Sequence, residues 1–151
     1  MTTAASHDLE VFDKFPEVLI DHDNVAFYRG LLAHQVVLNR CGECGHWHSE
    51  PLRPTCPACW SWDIRHQAVS GRGVIHSYTR LHQGPPIDGL KYDPPVTLAL
   101  VDLEEQPHLR VVGGIVNQVD PAALIGSRVE VVWSTGSVAP RIMFRLIEER
   151  S

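Results

Sequence analysis

Apolar and polar positions change rhythm twice along this chain. From Val25 the apolar residues recur at helical spacing: Val25, Tyr28, Leu31 and Leu32 fall on one face, with Phe27 beside them. Asp21 or Asp23 stands where a helix cap belongs, and Gly30 weakens such a helix by roughly 1 kcal/mol relative to Ala. The stripe predicts a helix with one packing face, turned toward the rest of the chain or toward a partner. Residues 1–20 show no strong periodicity and predict a loose arm. The run Gln35–Arg40 predicts a short strand leading into the first cysteine pair.

Beyond residue 62 the rhythm shortens to β-rich runs separated by turn residues. The first predicted strand is long: Ile64–Val69 continues past Gly71-Arg72-Gly73 into Val74–Leu81, bent by its glycines. Val96–Leu103, His108–Val116, Arg128–Trp133 and Arg141–Ile147 follow. In the last two, Val129, Val131 and Trp133, and Ile142, Phe144 and Leu146, alternate with their neighbours, as strands with one buried face do. Asp120 as cap, Pro121 at the first helical position and Gly126 just past the end predict a short helix between the third and fourth runs. Strands in that order, with a helix before the fourth, describe a five-stranded OB-fold barrel. Gly113-Gly114 offers a bulge or tight bend for closing it. Gln83–Pro95, with four prolines and two glycines, predicts a surface loop. The predicted organisation is mainly β: an N-terminal arm and helix over 1–35, a cysteine-bearing ribbon over 36–66 and a C-terminal OB-fold over 67–151.

The insert at 41–62 carries the candidate chemistry. Cys41-Gly-Glu-Cys44 and Cys56-Pro-Ala-Cys59 are separated by eleven residues. Two residues between paired cysteines let a tight turn present both sulfurs to one ion, at about 2.3 Å for zinc. Cys41, Cys44, Cys56 and Cys59 are therefore the expected ligands of one structural Zn2+, with rubredoxin-like iron left open by the same ligand set. Disulfides would suit an exported chain, and a redox CxxC would need a thioredoxin-like setting. Four protein ligands close the shell, so the metal is expected to be structural. His46 and His48 are expected to be solvated. Trp47, Trp60 and Trp62 read either as cover for a domain too small for its own core or as a partner-binding face. No GxSxG, Walker loop, GxGxxG or HExxH occurs, and no catalytic residue is nominated.

Charge narrows the partners. The net charge is −5 and the sequence pI about 5.9, whereas nucleic-acid binders usually present a basic face. No apolar run approaches the roughly 18 to 20 residues that span a bilayer, and MTTAASHDLEVFDKF lacks the character of a secretory signal. No nucleic-acid or membrane partner is expected, and the expected location is the cytoplasm.

The motifs FYRGLL, LNRCGECG, PLRPTCPAC, VSGRGVIHSYT, VTLALVDLEE and IGSRVEVVW, in this order over roughly residues 24–147, resemble the family called domain of unknown function 35. The combination of CGxCG, RPxCPxC and SGRGxxxSxT is more specific than any one of them. The departure is Trp60, where the family's second knuckle usually carries Gly; ligation is untouched, and the turn is where a difference is expected. The resemblance implies a rubredoxin-like zinc ribbon joined to an OB-fold working in acyl-CoA metabolism. It implies a non-catalytic subunit pairing with a thiolase-like enzyme: a thiolase, a lipid-transfer-type aldolase or an acyltransferase. Related domains support steroid side-chain degradation, and acyl-CoA would lie near the complex interface. Only the four cysteines carry over residue by residue. The rival reading is a nucleic-acid-binding module, since ribbons and OB-folds both serve that role.

Overall fold

In a computed structural model, residues 2–49, 52–84, 91–116, 124–134 and 139–147 are described. They form two compact units, Met1–Ser70 and Gly71–Ser151.

The first unit begins with two helices, α1 (Thr2–Lys14) and α2 (Val25–Leu32). A loose arm was the expectation for α1, and its helical character corrects it. Val11 and Phe15, four residues apart, are buried, and the Phe15 ring lies 5.0 Å from that of Tyr28 in α2. Arg29 closes the pair with an ion pair to Asp8 at 2.5 Å. Val11 lies in α1 and Phe15 just past its end, too sparse a stripe to stand out as a period.

Asn24, not an aspartate, occupies the N-cap of α2, and its side chain makes no cap bond. Asp21 works one turn earlier: its carboxylate accepts the N–H groups of Asp23 (2.9 Å) and Asn24 (3.1 Å). Ala26, Phe27, Gly30 and Leu31 are buried, so the packing face is centred on Phe27 and Leu31 rather than on Val25 and Leu32. Gly30 is explained by approach, because a Cβ there would stand 2.6 Å from Val37 Cγ2. The helix lies too close to the sheet beneath it to carry a side chain at that point.

That sheet has the order β2–β1–β3, with β1 Val37–Cys41, β2 Trp47–His48 and β3 Ile64–Ala68, all antiparallel. The expectation that Ile64–Val69 opens the barrel is corrected here. Ile64–Ala68 pairs with β1 from Cys41↔Ile64 to Val37↔Ala68 and completes the ribbon. Its side chains are largely exposed, so backbone pairing holds it. A side-chain contact joins in where His66 Nδ1 meets the Oδ1 of buried Asn39 at 2.8 Å.

The second unit is a closed barrel of β4 (Arg72–Leu81), β5 (Val96–Leu103), β6 (Arg110–Ile115), β7 (Arg128–Trp133) and β8 (Ile142–Leu146), in the order β4–β5–β6–β8–β7. All neighbours are antiparallel except β6 and β8, which close the barrel in parallel. Ile75, Ala99, Val101, Leu103, Val111, Val129 and Phe144 fill its interior. The five strands are those expected from the OB-like order. The register slips between Ile75 and Ser77, so the β4–β5 bulge falls at His76 and not at the glycine pair. Gly113 instead clears space for Phe144. Most of the expected helix Asp120–Gly126 lies outside the described residues. Leu124 is buried within its turn, and Gly126, at φ +87°, donates its N–H to Ile75 O at 2.8 Å. Part of the expected loop Gln83–Pro95, residues 85–90, is likewise outside them.

Candidate metal centre

Two turns of matching geometry bring the four cysteines together. In the first, Cys41 N–H donates to His46 O at 2.9 Å and Gly45 N–H to Cys41 O at 3.1 Å. In the second, Cys56 N–H donates to Ser61 O at 2.9 Å and Trp60 N–H to Cys56 O at 2.8 Å. Each is a knuckle in which the residue after the second cysteine reverses the chain with positive φ. Gly45 does so at +77° and Trp60 at +65°. A non-glycine residue held there carries a cost of about 1–2 kcal/mol. The site the sequence marked as a departure is therefore a strained one, although the turn is intact. Gly42 N–H bonds Asp63 O at 2.7 Å and ties the first knuckle to the approach of β3.

The four Sγ atoms lie within 4.8 Å of one another. Cys41 and Cys59 are 3.5 Å apart, and Cys44 and Cys56 3.6 Å. A disulfide needs about 2.05 Å, whereas four thiolates at about 2.3 Å from one tetrahedral ion stand ~3.8 Å apart. The residues thus fit a single four-sulfur metal ion. Among the described residues this is the one group of three or more candidate ligands with such spacing.

The protonation pattern agrees. The Cys44 N–H pointing at Cys41 Sγ, at 3.4 Å, lowers the Cys41 thiol to about 6, with the Glu43 N–H adding to it against the effect of burial. At Cys59 the Ser61 N–H lowers the pKa, but burial and the neighbouring Cys41, Cys44 and Cys56 sulfurs outweigh it and push the thiol up to about 12. Cys44 is raised too: the His46 N–H lowers it, while burial and Cys56 prevail. Cys41 ionises readily while Cys44 and Cys59 resist joining it, a conflict that a bound cation removes.

Around the knuckles the expectations divide. Trp60 (79% exposed) and Trp62 (77%) are open, whereas Trp47 is buried (5%) beneath Arg40, whose guanidinium carbon sits 4.8 Å from the ring centroid. Arg40 Nε also donates to Gly45 O at 3.0 Å, joining the stacked pair to the first knuckle. His48 is not solvated: it is 3% exposed, and among the described residues neither ring nitrogen has a hydrogen-bond partner. Burial, followed by the fields of His46 and Arg53, lowers its pKa. His48 pairs with buried Asn39 across the first knuckle, in the sheet that covers it.

On the barrel three strand arginines meet carboxylates. Asp102 accepts Arg110 Nε at 2.7 Å and faces His76 Nδ1 at 3.3 Å; Arg72 meets Glu104 at 3.5 Å and Arg145 meets Glu130.

Residues 66–134 match the family described as the ChsH2 C-terminal OB-fold domain. A solved structure named Ltp2-ChsH2(DUF35) aldolase superposes with a TM-score of 0.71 at 28% identity, covering 85% of this chain and 98% of the matched one. A DUF35 domain-containing scaffold protein of Pyrococcus furiosus is 39% identical over 93 residues. The chain is thus similar to proteins of the DUF35 family. The Pyrococcus alignment spans 60% of this chain and 65% of the relative, a little under two thirds of its length. A DUF35 structure of unknown function from Sulfolobus solfataricus shares the fold, with a TM-score of 0.57 at 16% identity over 95% of this chain and 98% of the other. No described helix is long and apolar enough to cross a membrane.

Proposed function

We propose that this chain is a DUF35 protein and a non-catalytic accessory subunit of a thiolase-like enzyme acting on acyl-CoA thioesters. Its site is structural, with Cys41, Cys44, Cys56 and Cys59 holding one Zn2+. The observation that carries the proposal is the match over 98% of a chain from a structure named as an aldolase built with a DUF35 component. The name of the Pyrococcus relative, a scaffold protein, points the same way. The four sulfurs supply the physical support for the metal: all four protein ligands are spent on one closed tetrahedron, leaving no position for substrate. When bound, zinc would cross-link the two knuckles, and the chain's own residues orient the thiols. Lipid or steroid side-chain degradation in the cytoplasm, with acyl-CoA near the subunit interface, is the setting proposed.

The acidic net charge of −5 weighs against the nucleic-acid reading. On the barrel, Arg72, Arg110 and Arg145 are each engaged by a carboxylate rather than held ready for phosphate.

Co-expression with an Ltp2-type aldolase subunit from the same genome tests the proposal. A complex that co-elutes on gel filtration, and aldol cleavage that needs both chains, is the expected result. Robust thiolysis or aldol cleavage by this chain alone would overturn it, as would separate elution of two folded proteins with the enzyme fully active by itself.

A further inference from the structure

Within this chain the two knuckles are an internal control for one another. They share their hydrogen-bond pattern and their positive φ, yet one reverses on Gly45 and the other on Trp60. Folding favours glycine at both places, because glycine alone takes that backbone without strain. Trp60 returns nothing to the fold through its side chain, which is 79% exposed. Two residues on, Trp62 is 77% exposed. A bulky aromatic kept in a strained turn and turned outward is a feature that stability alone opposes, and strain of this kind gathers where a surface has work to do.

We infer that Trp60, with Trp62 beside it, anchors the ribbon unit in the interface with the enzyme subunit. The inference rests on the accessory-subunit reading and deepens it by naming the contact. Tryptophan is enriched among the few residues that dominate binding energy, because it places a large rigid surface at little conformational cost. The size of the patch selects the occupant. Two tryptophans offer on the order of 300–500 Å² between them, while a stable interface buries about 1,200–2,000 Å² in total. The pair is thus too small to hold a second copy by itself and suits one anchor of a broader surface, as a subunit enzyme provides. The net charge of −5 weighs against the anionic lipid surface that exposed tryptophans could otherwise enter.

Trp60→Gly and Trp60→Asn both tolerate positive φ, and each removes the aromatic surface. In the zinc-loaded chain alone, Trp60→Gly is expected to raise the melting temperature by about 2–8 °C. Against the co-expressed Ltp2-type aldolase subunit, measured by titration calorimetry, Trp60→Gly, Trp60→Asn and Trp62→Ala are each expected to weaken binding at least about tenfold. A structural tryptophan would move both readouts the same way, so a Trp60→Gly variant that melts earlier overturns the proposal. Wild-type affinity in all three variants also overturns it while leaving the accessory-subunit reading standing. If the wild-type chain itself fails to bind the enzyme, that reading and the anchor fall together.

Discussion

Gly113 faces the ring of Phe144 across the barrel interior: a Cβ on Gly113 would lie 2.6 Å from Phe144 Cε2 and 2.9 Å from Ile142 Cγ2. Phe144 is fully buried, and its strand is the one that joins β6 and β7. The absent side chain on one strand is thus the room in which the largest core side chain of the next one sits.

Gly113→Ala is expected to destabilise the barrel by about 1–3 kcal/mol through overpacking. The cost should shrink when Phe144→Leu is introduced with it, since the two residues share one volume. Urea unfolding of both single variants and the double variant measures the coupling. Additive costs would show that the contact is not what makes glycine necessary.

The isolated chain is expected to carry about one zinc. Cys41→Ser and Cys56→Ser should each abolish it and unfold the ribbon, because structural zinc contributes on the order of 10–16 kcal/mol of apparent binding free energy in small zinc domains. Elemental analysis, with far-ultraviolet circular dichroism before and after chelation, provides the check. Folded, metal-free protein after gentle purification would contradict the assignment.

Gly45 and Trp60 should answer mutation with opposite sign. Gly45→Ala places a side chain at φ +77° and is expected to cost about 1 kcal/mol. No clash adds to this, since the nearest atom to the new Cβ is Arg40 Nη2 at 3.7 Å. Parallel melting curves of the zinc-loaded Gly45→Ala and Trp60→Gly variants should bracket the wild type. Two shifts in the same direction would mean that positive φ does not set the cost.

Acid should weaken the ribbon unit through its histidines. Burial, followed by the field of Arg29, lowers His66, and His48 is lowered as well. Both therefore stay neutral in the folded chain at pH values where the unfolded chain has begun to take up protons. The stability they secure is complete above the ordinary value of 6.5 and is lost as pH falls from there through the lower folded values. His66→Gln, whose amide can still donate to Asn39 Oδ1, should flatten the fall in stability between roughly pH 7.5 and 5.5. Matched denaturation series on zinc-saturated protein measure the difference, and equal slopes would remove His66 from the account.

Where information was local, the sequence was legible. The cysteine spacing anticipates the knuckles because each turn is a local one, closed by bonds between near neighbours in sequence. The alternation in the last two strands anticipates the burial of Val129 and Phe144 because a strand's period is a property of the strand. What depended on distant partners was not legible. Phe15, just past the end of α1, is buried where the ring of Tyr28 in α2 lies against it. Ile64–Ala68 has almost no buried side chain to reveal its sheet; its allegiance lies in backbone bonds to β1. His48 looked solvated because its burial arises from the packing of the ribbon sheet and not from its neighbours in sequence.

The parallel seam between β6 and β8 also sets an order of events at the ribosome. Gly114↔Met143 and Ile115↔Phe144 cannot pair until the last strand has left the exit tunnel. Every strand pairing of the ribbon lies between residues 37 and 68. Since domains generally fold as they emerge, N-terminal first, the ribbon can capture its metal while the barrel is still an open, unfinished sheet. A nascent chain stalled near residue 110 would already hold its zinc, and ribosome-bound intermediates probed for thiol protection would show the four cysteines shielded before the barrel has closed.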